Sequence, residues 1–269
     1  MDDARCTVVD DQGIGSRPMR SGMPTITVLG VPVAALTARQ AISEVSGLLA
    51  APGPQTLMYV NAHSMNLARS HRRYRACLAD ADLVLNDGSG LAMAARVRGR
   101  RFPANLNGTD FTPEVLRLAA QEGLSVYLLG GRPGVAARAA DRLAERMPEL
   151  KIVGHHHGYF RDDEGVAVAA RIRETGADVV LVAMGNPRQE LWLSEHLPAT
   201  GAALGVAVGA FLDFAAELVP RAPRWMRQAG IEWVYRLVRE PMRLFTRYVV
   251  GNPLFVARVL ADRVLAALR

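Results

Sequence analysis

Five times after Thr25, a short apolar run breaks into a polar turn and a helical pattern follows. The runs are Thr56–Val60, Leu83–Leu85, Ser125–Leu129, Asp178–Met184 and Ala203–Val208. Their turns are Asn61, Asn86-Asp87-Gly88, Gly130–Gly134, Gly185–Glu190 and Gly209–Asp213. Runs without polar alternation suit strands buried on both faces, and helix-length crossovers join parallel neighbours. The chain is therefore expected to be α/β, a mainly parallel sheet covered by helices on both faces. A further strand is expected at Leu150–Val153 and a helix over Val166–Glu174. Because parallel strands share a direction, the five turns emerge at one edge, where open α/β sheets bind ligands.

Local signals fill in the helices. Thr37-Ala-Arg-Gln40 reads as a capping box ahead of Ala41, Ile42, Val45, Leu48 and Leu49 on one helical face. One helical stretch runs through Leu67–Leu78, and another begins at about Leu91. Asp110 is expected to cap a helix running to about Glu122, with Pro113 in its first turn.

Asp87 is the outstanding candidate at the ligand edge. It follows the run Leu83–Leu85, and Gly88 and Gly90 let the backbone turn before the next helix. A carboxylate there is placed for acid–base chemistry, the plain alternative being an Asx-turn or helix cap. Gly130-Gly131-Arg132-Pro133-Gly134 is able to offer backbone N–H groups to a phosphate, although Arg132 replaces the second glycine of a dinucleotide fingerprint. In Gly185-Asn186-Pro187-Arg188-Gln189-Glu190, a first-turn arginine opposes the helix dipole, so Arg188 is expected to serve an anion. Gln189 both donates and accepts, as a grip on a sugar hydroxyl or a base edge requires.

Charge is uneven. The last 55 residues carry ten arginines against Glu217, Glu232, Glu240 and Asp262, so the net charge of +6 falls entirely there. From about Arg221 the pattern is helical only, with Trp225, Ile231, Trp233, Val234 and Leu237 alternating with arginines. Such a tail fits an anionic membrane surface. The expected organisation is a disordered leader over residues 1–22, a main domain over 23–220 and a basic helical appendage over 221–269. Cys6 and Cys77 give no disulfide framework or metal cluster, so a cytoplasmic location is expected. Asp80-Ala-Asp82 lies before its strand, at the wrong end for the crevice, and His155-His156-His157 reads as a polar turn rather than a metal tract. Ser64 and Ser89 lack a nucleophile elbow.

Ten short segments taken in order carry a resemblance. They are Val60-Asn61-Ala62, Asn86-Asp87-Gly88, Asn107–Asp110, Leu129–Gly131, Gly158–Phe160, Gly185–Glu190, Leu212–Phe214, Arg221–Pro223, Glu232–Arg236 and Glu240–Arg243. Together they resemble the WecG/TagA/CpsF family of bacterial glycosyltransferases (glycosyltransferase family 26), from about Thr25 to Pro253. The resemblance implies a Rossmann-type fold and an inverting, metal-independent transfer without a cofactor. The donor would be a UDP-sugar, typically UDP-N-acetylmannosamine or its uronic acid, in some members UDP-glucose. The acceptor would be a sugar on undecaprenyl diphosphate at the inner face of the cell membrane, in cell-surface polysaccharide synthesis.

By the same resemblance, Asp87 matches a catalytic base, Asn61 and Gln189 match active-site polar residues, and Asp213 a further acidic one; Asn86, Gly130, Gly131, Asn186 and Arg188, in the turns at the same edge, are expected to bind substrate with them. Arg236 and Arg243 match tail arginines that close over the donor diphosphate. Members also self-associate, so a homo-oligomer is an implied partner. Tyr59, Asn105 and Glu217 depart from the family pattern, which has threonine, arginine and glycine near those places. Two competing classes fit less well. A dinucleotide oxidoreductase lacks its glycine fingerprint and ribose-binding acid. A nucleic-acid-binding protein would explain the basic tail, but the tail is apolar between its arginines and holds no recognition motif.

Overall fold

The structure, a computed structural model, describes residues 22–267. The expected leader, with Cys6, lies outside the described residues apart from Gly22. A hairpin of β1 (Thr25–Val28) and β2 (Val31–Ala34) precedes six sheet strands. These are β3 (Gln55–Val60), β4 (Leu83–Asn86), β5 (Ser125–Gly130), β6 (Lys151–His156), β7 (Val179–Ala183) and β8 (Leu204–Ala207). They lie in the order β4-β3-β8-β7-β5-β6, every neighbouring pair parallel, a Rossmann-like arrangement.

The helices of the main body are α1 (Ala38–Leu49), α2 (Ala62–Ser70), α3 (Arg72–Asp80), α4 (Ser89–Val97), α5 (Gly108–Gln121), α6 (Val135–Arg146), α7 (Gly165–Thr175), α8 (Arg188–Thr200) and α9 (Phe211–Ala215). In the tail, α10 (Arg224–Gln228), α11 (Glu232–Arg239) and α12 (Pro241–Phe245) lead through a π-helical turn, Thr246–Val250, into α13 (Gly251–Ala267).

Side-chain alternation sorts the core into two layers. Along β3, Leu57 and Tyr59 join the layer under α1, α5, α6 and α9, while Met58 and Val60 join the layer under α2, α3, α4, α7 and α8. The second layer also takes Phe255, 1% exposed, and Val259 from α13. The tail thus completes the main core as well as extending from it. Asn66 of α2 donates to the Gly251 carbonyl (2.7 Å), and Arg258 returns to the Asn66 carbonyl and side-chain oxygen (3.2 and 2.9 Å).

At the amino end of the sheet, the Asp82 carboxylate accepts from the Thr56 amide (2.8 Å) and Asp178 from the Ser125 amide (2.7 Å). Each aspartate pins the first residues of neighbouring strands, so Asp82 of the Asp80-Ala-Asp82 pair is engaged in strand pairing.

Several local expectations shift. The Thr37 capping box is present. The stretch through Leu67–Leu78 is two helices, because His71 leaves helical geometry and its ring nitrogen accepts from the Tyr74 amide (3.1 Å). Asn107, not Asp110, caps α5; its side chain accepts from the Asp110 amide (3.0 Å), and Pro113 falls inside the helix. The helix after Asp87 starts at Ser89. His155 and His156 end strand β6 rather than forming a turn.

Candidate functional site

The carboxyl ends of β3, β4, β5, β7 and β8 open onto one cavity of about 840 Å³, roofed by α12, the π-helical turn and the start of α13. Asn61, Asp87, Gly131, Asn186, Arg188, Gln189, Asp213, Arg236 and Arg243 all line it. The five turns separated along the chain therefore meet, as a common strand direction requires.

Asp87 is half-buried on the cavity wall. Its amide donates to the Val60 carbonyl (2.8 Å), carrying the β3–β4 ladder one residue further and fixing where the side chain leaves the sheet. Gly88, at φ +89°, turns the chain into α4 without any side-chain cap, so Asp87 does not serve as one. Asn61 supplies the neighbour. As N-cap of α2, its Oδ1 accepts from the amides of His63 (3.1 Å) and Ser64 (3.2 Å), and Ser64 Oγ accepts from the Asn61 amide (3.2 Å). With its oxygen committed to the helix, the amide nitrogen faces Asp87 and donates to Oδ2 (3.3 Å). Burial raises the Asp87 pKa, opposed by the Asn61 hydrogen bond and by Arg247 and Arg236, with Asp110 adding to the rise. A carboxylate so placed holds a proton more strongly than a solvated aspartate, as a general base requires.

The tail brings arginines to the same cavity. Arg236, Arg243 and Arg247 line it beside Arg132, and Arg236 also lies over the Phe214 ring (5.6 Å). Arg243 pairs with Glu240 at 2.6 Å. The Nε atoms of Arg236 and Arg247 are buried with no protein partner. Asp213 sits among these cations; burial raises its pKa first, while Arg243 lowers it, Glu240 raises it, and Arg236 and Arg132 lower it. Five arginines, Arg188 among them, against Asp87 and Asp213 leave the cavity positive, suited to an anionic group. His63, also on the wall, is pushed down to about 4 by burial and then by Arg247, so it is neutral at pH 7.

Four residues expected to touch substrate are engaged within the protein. Asn86 is buried and its amide donates to the Ala104 carbonyl (2.9 Å), holding the loop before α5. Gly130 is absent from the cavity wall; a Cβ there would meet the Ala183 carbonyl oxygen at 2.4 Å, so the glycine serves the close approach of β5 to β7. The Arg188 guanidinium donates to the carbonyls of Gly158 (2.7 Å) and Phe160 and stacks on the Phe160 ring (4.9 Å), so it clamps the loop after β6 instead of standing free for an anion. Gln189 is 2% exposed, and its Oε1 accepts from the amides of Gly185 (3.1 Å) and Gly209 (3.0 Å), tying the turn after β7 to the turn after β8.

Sequence reasoning passed over Arg247 and His63. Arg247 stands four residues beyond Arg243, which hinted at a shared helical face, but the π-helical turn that aims it inward has no signature in the sequence. Among the described residues, no group of three or more His, Cys, Asp or Glu side chains is clustered to hold a metal ion. Residues 26–268 match the family described as "Glycosyl transferase WecG/TagA/CpsF family".

Proposed function

The chain belongs to the WecG/TagA/CpsF family of glycosyltransferases, and from that premise we propose a single-displacement, inverting transfer of a hexose from a UDP-sugar to a sugar on undecaprenyl diphosphate, in cell-surface polysaccharide synthesis. The donor we assign is UDP-N-acetylmannosamine or its uronic acid. Asp87 takes the proton of the acceptor hydroxyl as that oxygen bonds to the anomeric carbon. The bond from that carbon to the diphosphate oxygen breaks, and UDP leaves with the electron pair. General-base assistance of this kind contributes about 10²–10⁴ in rate.

The observation that carries the reading is the meeting of Asp87 with Arg132, Arg236, Arg243 and Arg247 around one cavity. A departing diphosphate develops charge, and guanidinium groups stabilise it through charge-assisted, often bidentate, hydrogen bonds, the role a divalent ion plays elsewhere. Asn61 supports the base by donating to it, and Asn186 and Asp213 supply polar contacts to the donor.

No described helix is long and apolar enough to cross a membrane. The tail nevertheless exposes Trp225, Val238, Met242, Phe245, Val249 and Leu260. With its arginines, this surface supports peripheral attachment to an anionic inner leaflet, each charge near the surface contributing about 1 kcal/mol. Attachment there delivers a lipid-linked acceptor to the cavity roof, which the same tail builds.

The test is a panel of UDP-sugars with a polyprenyl-diphosphate-linked N-acetylglucosamine analogue, following UDP release and the anomeric configuration of the product. Turnover with inversion is expected for one N-acetylmannosamine-type donor. Retention of configuration, or no donor turned over, defeats the reading.

A further inference from the structure

Behind the cavity wall lies a carboxyl group that the transfer itself does not use. Glu190, at the third position of α8, is fully buried. Its Oε1 accepts from Gln189 Nε2 (2.8 Å) and from Asn186 Nδ2, while Oε2 is buried without a partner. An oxygen that only accepts settles the orientation of both amides. The Gln189 nitrogen must face inward, which leaves its oxygen to hold the amides of Gly185 and Gly209. The Asn186 nitrogen must face inward too, where it also reaches the Tyr74 hydroxyl (3.3 Å), leaving its acceptor oxygen for the cavity.

We propose that Glu190 is a positioning residue whose ionised carboxylate sets the ligand-binding form of the cavity floor, and whose protonation relaxes it. The physical reason is bond strength: hydrogen bonds to a carboxylate are about twice as strong as those to a neutral carbonyl. Two such bonds to one oxygen hold Asn186 and Gln189, and through Gln189 the turns after β7 and β8.

Burial pushes the Glu190 carboxyl up to about 7, partly offset by its hydrogen bonds. The titratable groups packed against it are Tyr74 and Cys77 of α3, the latter donating to the Glu190 backbone carbonyl (3.1 Å). Burial, and after it the charge of Glu190, holds both in their protonated forms, Cys77 pushed up to about 12 and Tyr74 higher. Neither therefore titrates beside Glu190 near neutral pH.

The inference rests on the reading that the cavity binds a nucleoside diphosphate, and UDP itself is the probe. Asp87→Asn serves as the background, so that titration of the general base does not contribute. In that background, UDP affinity measured by calorimetry should weaken about fivefold as pH falls from 8 to 6. Adding Glu190→Gln should weaken binding at pH 8 and leave only the shallower pH dependence that the second ionisation of the UDP terminal phosphate itself brings. An equal pH dependence with and without Glu190→Gln overturns the positioning role, whereas no UDP binding to either protein, or to the wild type, removes the functional reading itself. Should the glutamine variant fail to fold, the Asp87→Asn protein carries a second test. Its protonated-carboxyl infrared band should titrate near 7, and saturating UDP should move that midpoint downward, since a ligand favouring the ionised state must lower the pKa. A midpoint unmoved by UDP overturns the proposal.

Discussion

Burial around Asp87 outweighs the one hydrogen bond and two guanidinium charges that favour its ionised form, so its proton leaves above the ordinary carboxylate range. Turnover should accordingly fall with decreasing pH at a point above that of a solvated aspartate. Asp87→Asn, nearly isosteric, should lose about 10²–10⁴ in kcat while UDP affinity stays within severalfold. Near-normal turnover of the purified variant would remove Asp87 as the base. Glu190 makes a separate thermodynamic statement. Its pKa rises from 4.5 to about 7 on folding, so the folded state binds the proton more tightly than the unfolded chain. Its contribution to stability is whole below about 4.5 and is lost as pH climbs to about 7, a change of about 3 kcal/mol. Glu190→Gln removes the ionisation, so the variant should gain stability relative to the wild type as pH rises through that window. Denaturant titrations at pH 4.5 and 7.5 measure it, and a constant difference between the two proteins contradicts the shift.

At the scale of elements, the α2 cap joins folding to chemistry. Asn61 uses its oxygen for the helix and its nitrogen for Asp87. Asn61→Asp keeps an equally good N-cap but puts a second carboxylate where the donor was. Thermal stability should stay within about 1 kcal/mol, and the acid limb of the kcat profile should move to higher pH by like-charge repulsion. Loss of stability with an unmoved limb would mean that Asn61 is only a cap. The turns that form this site were legible because the apolar runs before them have no polar alternation, which requires a two-faced parallel sheet and one common exit edge. The direction of individual side chains was not legible. Arg188, Gln189 and Glu190 are consecutive in one helical turn, yet the first is drawn to loop carbonyls and the other two are buried. Residue type announces polarity there, while neighbours brought in from β6, β8 and α3 decide direction. Arg247 was hidden for a related reason, since it lies inside the π-helical turn, where the helical phase departs from α spacing.

For the whole molecule, the tail has two faces with two tasks, and only one was visible in its composition. The alternation of arginine with tryptophan and valine suggested a basic surface helix, but it does not say that Phe255 and Val259 enter the core beside α2 and α4. Removing α13 should therefore unfold more than a membrane anchor. Phe255→Ala alone should cost about 3–5 kcal/mol, so the membrane role is better tested on the outer face. Met242 is 95% exposed and Val238 74%, with Phe245 and Leu260 also open to solvent. A variant carrying Val238→Ser, Met242→Ser and Phe245→Ser should melt within a few degrees of the wild type, since such positions contribute little to the folded core. Its co-sedimentation with vesicles containing phosphatidylglycerol should fall severalfold, and turnover on a water-soluble acceptor should be preserved. Undiminished partitioning of that variant would show that arginines alone hold the protein to the bilayer, or that another face does. Loss of turnover on the soluble acceptor would instead tie these side chains to the roof of the cavity, because Leu244, Val250 and Leu254 from the same segment line it.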